Sequence, residues 1–243
     1  MKRLLLIDVG NTRVKWAETS ARGTIRVRGN LATNKVSAGR IALAKRFARH
    51  RVVVSSVVPK VTQMLRRTFP GAIFVGGALR GLPLAFAYPN PAEIGSDRIA
   101  AAIAAKGRGA AIVVSCGTAT AFSVVDKRGR FCGGAIAPGV DAQLQALVGA
   151  TAQLPTITPR PAKRALGKST REAIRAGVMI GYQGGVQKIV QQLRKDLGSP
   201  ARVIVTGGSA EHLRGMRGLG HIELRPLLVF EGLRIIAGTL PEA

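Results

Sequence analysis

The sequence predicts an α/β protein built as two similar halves, residues 1–106 and 107–243. Short apolar, β-branched runs alternate with helical patterns along the whole chain. A strand meander followed by helix–strand units occurs twice, an internal duplication of architecture with little residue identity. Each repeat opens on an apolar strand that runs into a turn containing glycine and threonine. The first is Leu4-Leu5-Leu6-Ile7-Asp8-Val9-Gly10-Asn11-Thr12, and the second Ala111-Ile112-Val113-Val114-Ser115-Cys116-Gly117-Thr118-Ala119-Thr120.

In the first half, residues 3–8 read as a buried strand, with 13–18 and 24–28 as further strands of a meander. Residues 36–50 read as a basic amphipathic helix and 51–55 as a short strand. A helix follows over 60–69 behind Pro59, then a closing strand over 72–75. The Gly- and Pro-rich stretch 76–95 reads as a long functional loop, and the alanine-rich stretch 97–106 as a helix. In the second half, 111–115, 121–126 and 130–137 read as three strands. Residues 140–148 form a helix, and 151–168 a Pro-rich excursion. Ser169-Thr170-Arg171-Glu172 has the pattern of a capping box opening a long helix to about Leu197. A strand over 202–206 ends in Gly207-Gly208, and 226–237 forms a closing helix.

With 243 residues and 47% hydrophobic content, the chain can bury a real core. No apolar run approaches the roughly 20 residues of a membrane span, and Asp8 interrupts the N-terminal run too early for a signal peptide. A cytoplasmic protein is expected, with Cys116 and Cys132 as reduced thiols. The net charge of +25 favours acidic partners, yet the basic residues are scattered and aromatics make up only 4%. Base-stacking platforms and helix-turn-helix or zinc-finger spacings are missing, which leaves non-specific nucleic-acid affinity of a basic surface.

A turn of the kind that follows each strand presents backbone N–H groups and a hydroxyl to an oxyanion. Two such turns facing one cleft can hold both ends of a triphosphate, which points to a kinase. In the first, Gly10 lets the backbone approach, Asn11 and Thr12 supply donors, Lys15 adds a charge, and Asp8 can hold a hydrated Mg²⁺. A hairpin turn capped by Asp8 is the alternative. Gly95-Ser96-Asp97-Arg98 is the expected seat of chemistry. Among only 12 acidic residues, Asp97 follows a long Pro-rich loop and opens a helix beside an arginine. Its carboxylate can take a proton from a hydroxyl, while Arg98 pairs with an acid group; a helix-capping role for Asp97 is the alternative. Gly207-Gly208 reads most simply as a tight strand-to-helix connection. The near-match to a Walker loop over 162–169 is rejected, because Pro155, Pro159 and Pro161 exclude a central strand before it. Gly177, Gly181 and Gly185 share one face of the long helix, which suggests close packing by another helix or a second subunit.

Taken together these segments resemble the type III pantothenate kinases of the acetate and sugar kinase/actin superfamily. The resemblance rests on Asp8 to Thr12, on Tyr88-Pro89-Asn90-Pro91 with Gly95-Ser96-Asp97-Arg98, and on Gly117-Thr118-Ala119-Thr120. Gly133 to Gly139 and Gly167-Lys168-Ser169-Thr170 complete it. It implies two ribonuclease H-like domains of the actin-like ATPase type, each a mixed five-stranded sheet with flanking helices. It further implies ATP-dependent phosphorylation of pantothenate in coenzyme A biosynthesis, with Asp97 as general base. Tyr88, Gly95, Ser96, Arg98 and Thr170 would line the pantothenate site. Asp8, Gly10, Asn11, Thr12 and Lys15 would serve phosphate and Mg²⁺, and Gly117, Thr118 and Thr120 the rest of the nucleotide. A homodimer and a monovalent cation, K⁺ or NH₄⁺, are implied as well. The chain departs from the pattern at Ser115, where the family carries the aspartate associated with cation binding. That departure and the charge support an alternative reading as a weakly active or inactive homologue with a regulatory, transcription-related role.

Overall fold

Among the described residues, six strands and three α-helices near the N-terminus and at the extreme C-terminus belong to one unit, and the middle of the chain forms another. The computed structural model describes residues 3–36, 47, 49–107 and 109–241. The units are Met1–Lys106 with Leu227–Ala243, and Gly107–Pro226. The helix expected over 36–50 falls largely outside the described residues.

Strand β1 (Leu4–Val9) is the centre of the first sheet. Its almost continuous apolar run is buried on both faces, as a strand covered on each side requires. It pairs antiparallel with β2 (Arg13–Thr19), which pairs antiparallel with β3 (Ile25–Ala32). On its other edge β1 pairs in parallel with β4 (Arg51–Ser56), and β4 with the short β5 (Ile73–Phe74). The order is β3-β2-β1-β4-β5. Helix α1 (Pro59–Thr68) has proline at its first turn, where no N–H is needed. The loop after β5 holds a two-residue strand, β6 (Ala85–Phe86), and a 3-10 turn at Pro91–Glu93.

Helix α2 (Ser96–Ala105) buries eight of its ten residues. Its alanines allow close approach by the C-terminal helix, α5 (Leu228–Thr239), which also packs on β1 and β4. The sequence places this closing helix with the second half; it belongs with the first because its face of Leu228, Phe230, Leu233 and Ile236 is buried there. The Arg51 guanidinium donates to the carbonyl oxygens of Ala237 (2.7 Å) and Leu240 (2.8 Å), satisfying the open end of α5. At the crossing, a Cβ on Gly232 would lie 1.9 Å from the Ala100 carbonyl oxygen. Gly232→Ala must therefore push α5 off α2, and a loss of about 1–3 kcal/mol is expected from such overpacking. Urea denaturation checks this; an unchanged midpoint would contradict the packing described.

The second unit repeats the strand order. Strand β7 (Ala110–Cys116) pairs antiparallel with β8 (Ala119–Val125), and β8 antiparallel with β9 (Arg130–Gly133). On its other edge β7 pairs in parallel with β11 (Ala201–Thr206), and β11 in parallel with β12 (Ile222–Leu224). The path β12-β11-β7-β8-β9 matches the first sheet strand for strand, which is the duplication anticipated from sequence. One expected strand, 130–137, is two: β9 and β10 (Ile136–Pro138), both paired with β8. Gly133 (φ 110°) and Gly134 (φ 147°) break it, and a Cβ on Gly134 would strike the Phe122 carbonyl oxygen. The strand β12 and a 3-10 turn at Ala210–Leu213 were not visible in the glycine-rich stretch after Thr206.

Helix α3 (Val140–Gly149) precedes the Pro-rich excursion, which holds no regular element. The long helix α4 (Thr170–Leu197) starts at the expected cap. Ser169 Oγ accepts from Glu172 N, and Glu172 Oε2 accepts from Lys168 N at 2.7 Å. It ends at Gly198 in the left-handed region. Met179, Tyr182, Val186 and Val190 form the stripe that joins the core of β7, β8 and β11. Among the described residues nothing lies within 4 Å of a Cβ built on Gly177, Gly181 or Gly185, so of the two kinds of close packing the sequence leaves open, no described helix of this chain supplies one.

Candidate active site

In the first unit the site grows from the end of β1. Register sets Lys15 of β2 and Ser55 of β4 directly beside Asp8. Burial, and then the negative charge of Asp97, push the Asp8 carboxyl up from its usual 3.8 to about 6; Lys15 and a hydrogen bond from Ser55 act against them. The turn that follows joins β1 to β2 as a tight hairpin. Gly10 N donates to Arg13 O (3.0 Å), while Asn11 and Thr12 are exposed at the tip. Thr33 braces the turn through its hydroxyl to Gly10 O (2.8 Å) and its N–H to Thr12 O (3.0 Å).

Asp97 enters the same cluster from α2. The residue at the cap is Gly95, and Asp97 lies in the first turn, so it is not the N-cap. Its Oδ1 accepts from Arg98 N at 2.9 Å. Burial raises its pKa, while the Arg98 amide and guanidinium lower it. Burial in turn lowers the pKa of Arg98, which Asp97 and Tyr88 counteract. Gly95 leaves room for the carboxylate: a Cβ there would lie 2.7 Å from Asp97 Oδ1. The structure thus brings Asp8, Lys15, Tyr88, Asp97 and Arg98 into one electrostatically coupled group.

Ser96, expected to line the substrate site, points elsewhere. It is buried, with its Oγ 3.1 Å from Ser55 Oγ and 2.8 Å from Ser56 N. Ser55, also fully buried, went unrecognised in the sequence. A serine pair ending an apolar strand is a weak signal, and only the parallel register places it against Asp8.

In the second unit the β7–β8 turn exposes Gly117 and Thr118. Gly117 N donates to Ala119 O (3.1 Å), and Gly139 N to Thr118 O (3.0 Å). A Cβ on Gly139 would lie 2.1 Å from Gly117 O, so the glycine-rich strand end closes against the turn. Thr120 corrects an expectation. It is fully buried and its hydroxyl lies 3.0 Å from Tyr182 Oη, leaving it no open face for nucleotide. Tyr182, a residue missed in the sequence, also contacts Cys116, whose thiol burial pushes up to about 11. Both cysteines are free. Ser115 stands opposite Thr206 in the parallel register. Thr170 is exposed at the start of α4.

Two carboxylates whose pKa burial raises, one beside a guanidinium and one beside an ammonium, can perform proton abstraction and cation binding. The sequence profile described as type III pantothenate kinase matches residues 4–192, which include all of these positions up to Tyr182. The "Type III pantothenate kinase" of Akkermansia muciniphila is 35% identical over 238 residues, covering 96% of this chain and 98% of that one. Among solved structures, a Baf family protein from Campylobacter jejuni aligns with a TM-score of 0.64 at 19% identity, covering 96% and 97% of the two chains. A glucokinase from an Antarctic psychrotroph aligns with a TM-score of 0.53 at 11% identity, covering 98% and 99%. At those identities the two structures speak for the fold alone, a two-sheet α/β architecture that this chain shares with them. By its sequence, the chain belongs to the type III pantothenate kinase family.

Proposed function

We propose that this protein transfers the γ-phosphoryl group of ATP to the primary hydroxyl of pantothenate, the first step of coenzyme A biosynthesis. Family membership supports the reaction, and the observation that carries it is the coupling of Asp97 to Asp8 at the end of β1. Asp97 orients the hydroxyl and takes its proton as the oxygen attacks the phosphorus in line. Arg98, Tyr88, Gly95 and Thr170 bind pantothenate, with Arg98 on its carboxylate. Asn11, Thr12 and Lys15, and Thr118, supply donors to phosphate oxygens, while Gly10 and Gly117, whose N–H groups already donate to Arg13 O and Ala119 O, let the phosphates approach the backbone.

Asp8 fits Mg²⁺. It offers one hard carboxylate oxygen at a strand end, suited to an ion that takes its remaining ligands from phosphates and water. Bound there, the ion neutralises phosphate charge. A monovalent cation fits less well: Ser115 and its neighbour Thr206 carry no charge. Among the described residues no group of three or more His, Cys, Asp or Glu stands ready to hold a metal.

The open glycine stripe of α4 favours a homodimer over internal packing. Cytoplasmic location follows from the reaction, and no described helix is long and apolar enough to cross a membrane. The net charge of +25 gives non-specific affinity for polyanions. Ser115 also favours a second reading, a regulatory homologue of weak activity. A coupled assay with pantothenate, ATP and Mg²⁺, with and without K⁺, decides between them. Turnover is expected in both conditions, with no rise on adding K⁺. A folded protein that makes no 4'-phosphopantothenate in either would support the regulatory reading, and strict dependence on K⁺ would restore the cation site.

A further inference from the structure

We infer that Ser96 is a positioning residue. With Ser55 it forms a chain of hydroxyl hydrogen bonds that ties the start of α2, and so Asp97, to the strand end carrying Asp8. The inference rests on the reading of Asp97 as the group that takes the substrate proton.

The direction of the chain follows from donor counting. A hydroxyl has a single proton to give. Ser55 stands directly beside Asp8 in the parallel register, and its hydroxyl lowers the Asp8 pKa as a donor to that carboxylate does. Across the 3.1 Å contact Ser96 is therefore the donor and Ser55 Oγ the acceptor. Ser96 Oγ in turn accepts the Ser56 backbone N–H at 2.8 Å. The sequence Ser56 N–H, Ser96 O–H, Ser55 O–H, Asp8 then runs one way, with each hydroxyl both accepting and donating once. Both serines are buried, at 0% and 4% exposure, so water does not compete for these bonds.

Position gives the chain its consequence. Ser96 is the first residue of α2 and Asp97 the next, yet the capping residue Gly95 has no side chain with which to anchor the helix start. Asp97 Oδ1 accepts from the amide of its neighbour Arg98, which fixes the rotamer but not the helix. The Ser96 hydroxyl thus anchors this turn to β4, and through Ser55 to the residue beside which the phosphates are proposed to sit. A loosened turn misplaces the base relative to the hydroxyl, and errors near 1 Å cost up to about a hundredfold in rate.

Kinetics and crystallography of Ser96→Ala test this. The kcat for pantothenate phosphorylation is expected to fall about ten- to hundredfold, with KM for pantothenate within about twofold, since the binding side chains are untouched. Ser96→Cys, which keeps a weak donor and acceptor of similar size, should recover part of the loss. Ser55→Ala should cost a similar factor, and the double variant no more than the worse single one, because both break one chain. In the crystal structure of Ser96→Ala, the Asp97 carboxylate should be displaced or split between two positions. An active wild type with unchanged kcat in Ser96→Ala, additive losses in the double variant, or a rise in KM alone would overturn the inference. If the wild type makes no product, the proposed reaction fails separately. An Asp97 unmoved in the variant's structure would still overturn the positioning role.

Discussion

Asp97→Asn is expected to abolish most pantothenate phosphorylation while leaving the fold and the KM for both substrates close to wild type. Asparagine keeps the size of the side chain, and its carbonyl oxygen still accepts from Arg98 N, as Asp97 Oδ1 does at 2.9 Å. Only the capacity to take a proton is removed. General-base contributions run to about 10²–10⁴-fold, and a kcat loss in that range is expected. Burial raises the Asp97 pKa while Arg98 pulls against it, so the carboxylate is a stronger base than an exposed aspartate. The variant must also let Asp8 titrate lower, because the Asp97 charge is one of the causes that raise it. Steady-state kinetics and carboxyl-carbon NMR titration measure the two effects. Turnover equal to wild type would remove Asp97 from the chemistry, and an unmoved Asp8 titration would deny that the two carboxylates share a site.

Much of this site was legible in the chain because its parts are local. The run Leu4 to Ile7 announces a central strand, and Asp8 at its end is placed by that alone. The long Pro-rich loop before Gly95-Ser96-Asp97 announces a helix start with a carboxylate in it. The capping box at Ser169 is likewise a relation between residues three apart. What escaped depends on register and on contacts distant in sequence. Ser55 matters because a parallel ladder sets it against Asp8, 47 positions away. Ser96 and Thr120 sit within recognisable motifs, but which way their hydroxyls point is decided by Ser55 and Tyr182. The closing helix shows an amphipathic pattern, yet nothing in that pattern states that Gly232 meets Ala100.

Asp8→Asn is expected to do opposite things to activity and to stability. Activity should fall at least about a hundredfold, because the oxygen proposed to hold the metal becomes neutral. The apo fold, in contrast, should become more stable near neutral pH. The folded-state pKa of Asp8, about 6, exceeds the usual 3.8, so the folded protein holds this proton more tightly than the unfolded chain does. The favourable contribution is complete below pH 4 and is lost as the pH rises through about 6. Above that, the wild type keeps a negative charge in a poorly hydrated place beside Asp97. Asparagine carries no charge at any pH, so its advantage over wild type grows from pH 4 to pH 6 and then levels off. Thermal denaturation at pH 4 and pH 7.5 without metal measures this, and adding Mg²⁺ with ATP should reverse the ranking by stabilising the wild type alone. A stability difference that ignores pH would show that Asp8 is not strained by its surroundings. Equal stabilisation of both proteins by Mg²⁺ with ATP would move the metal away from β1. A carboxylate retained at a cost to the empty fold is what a binding residue looks like before its cation arrives.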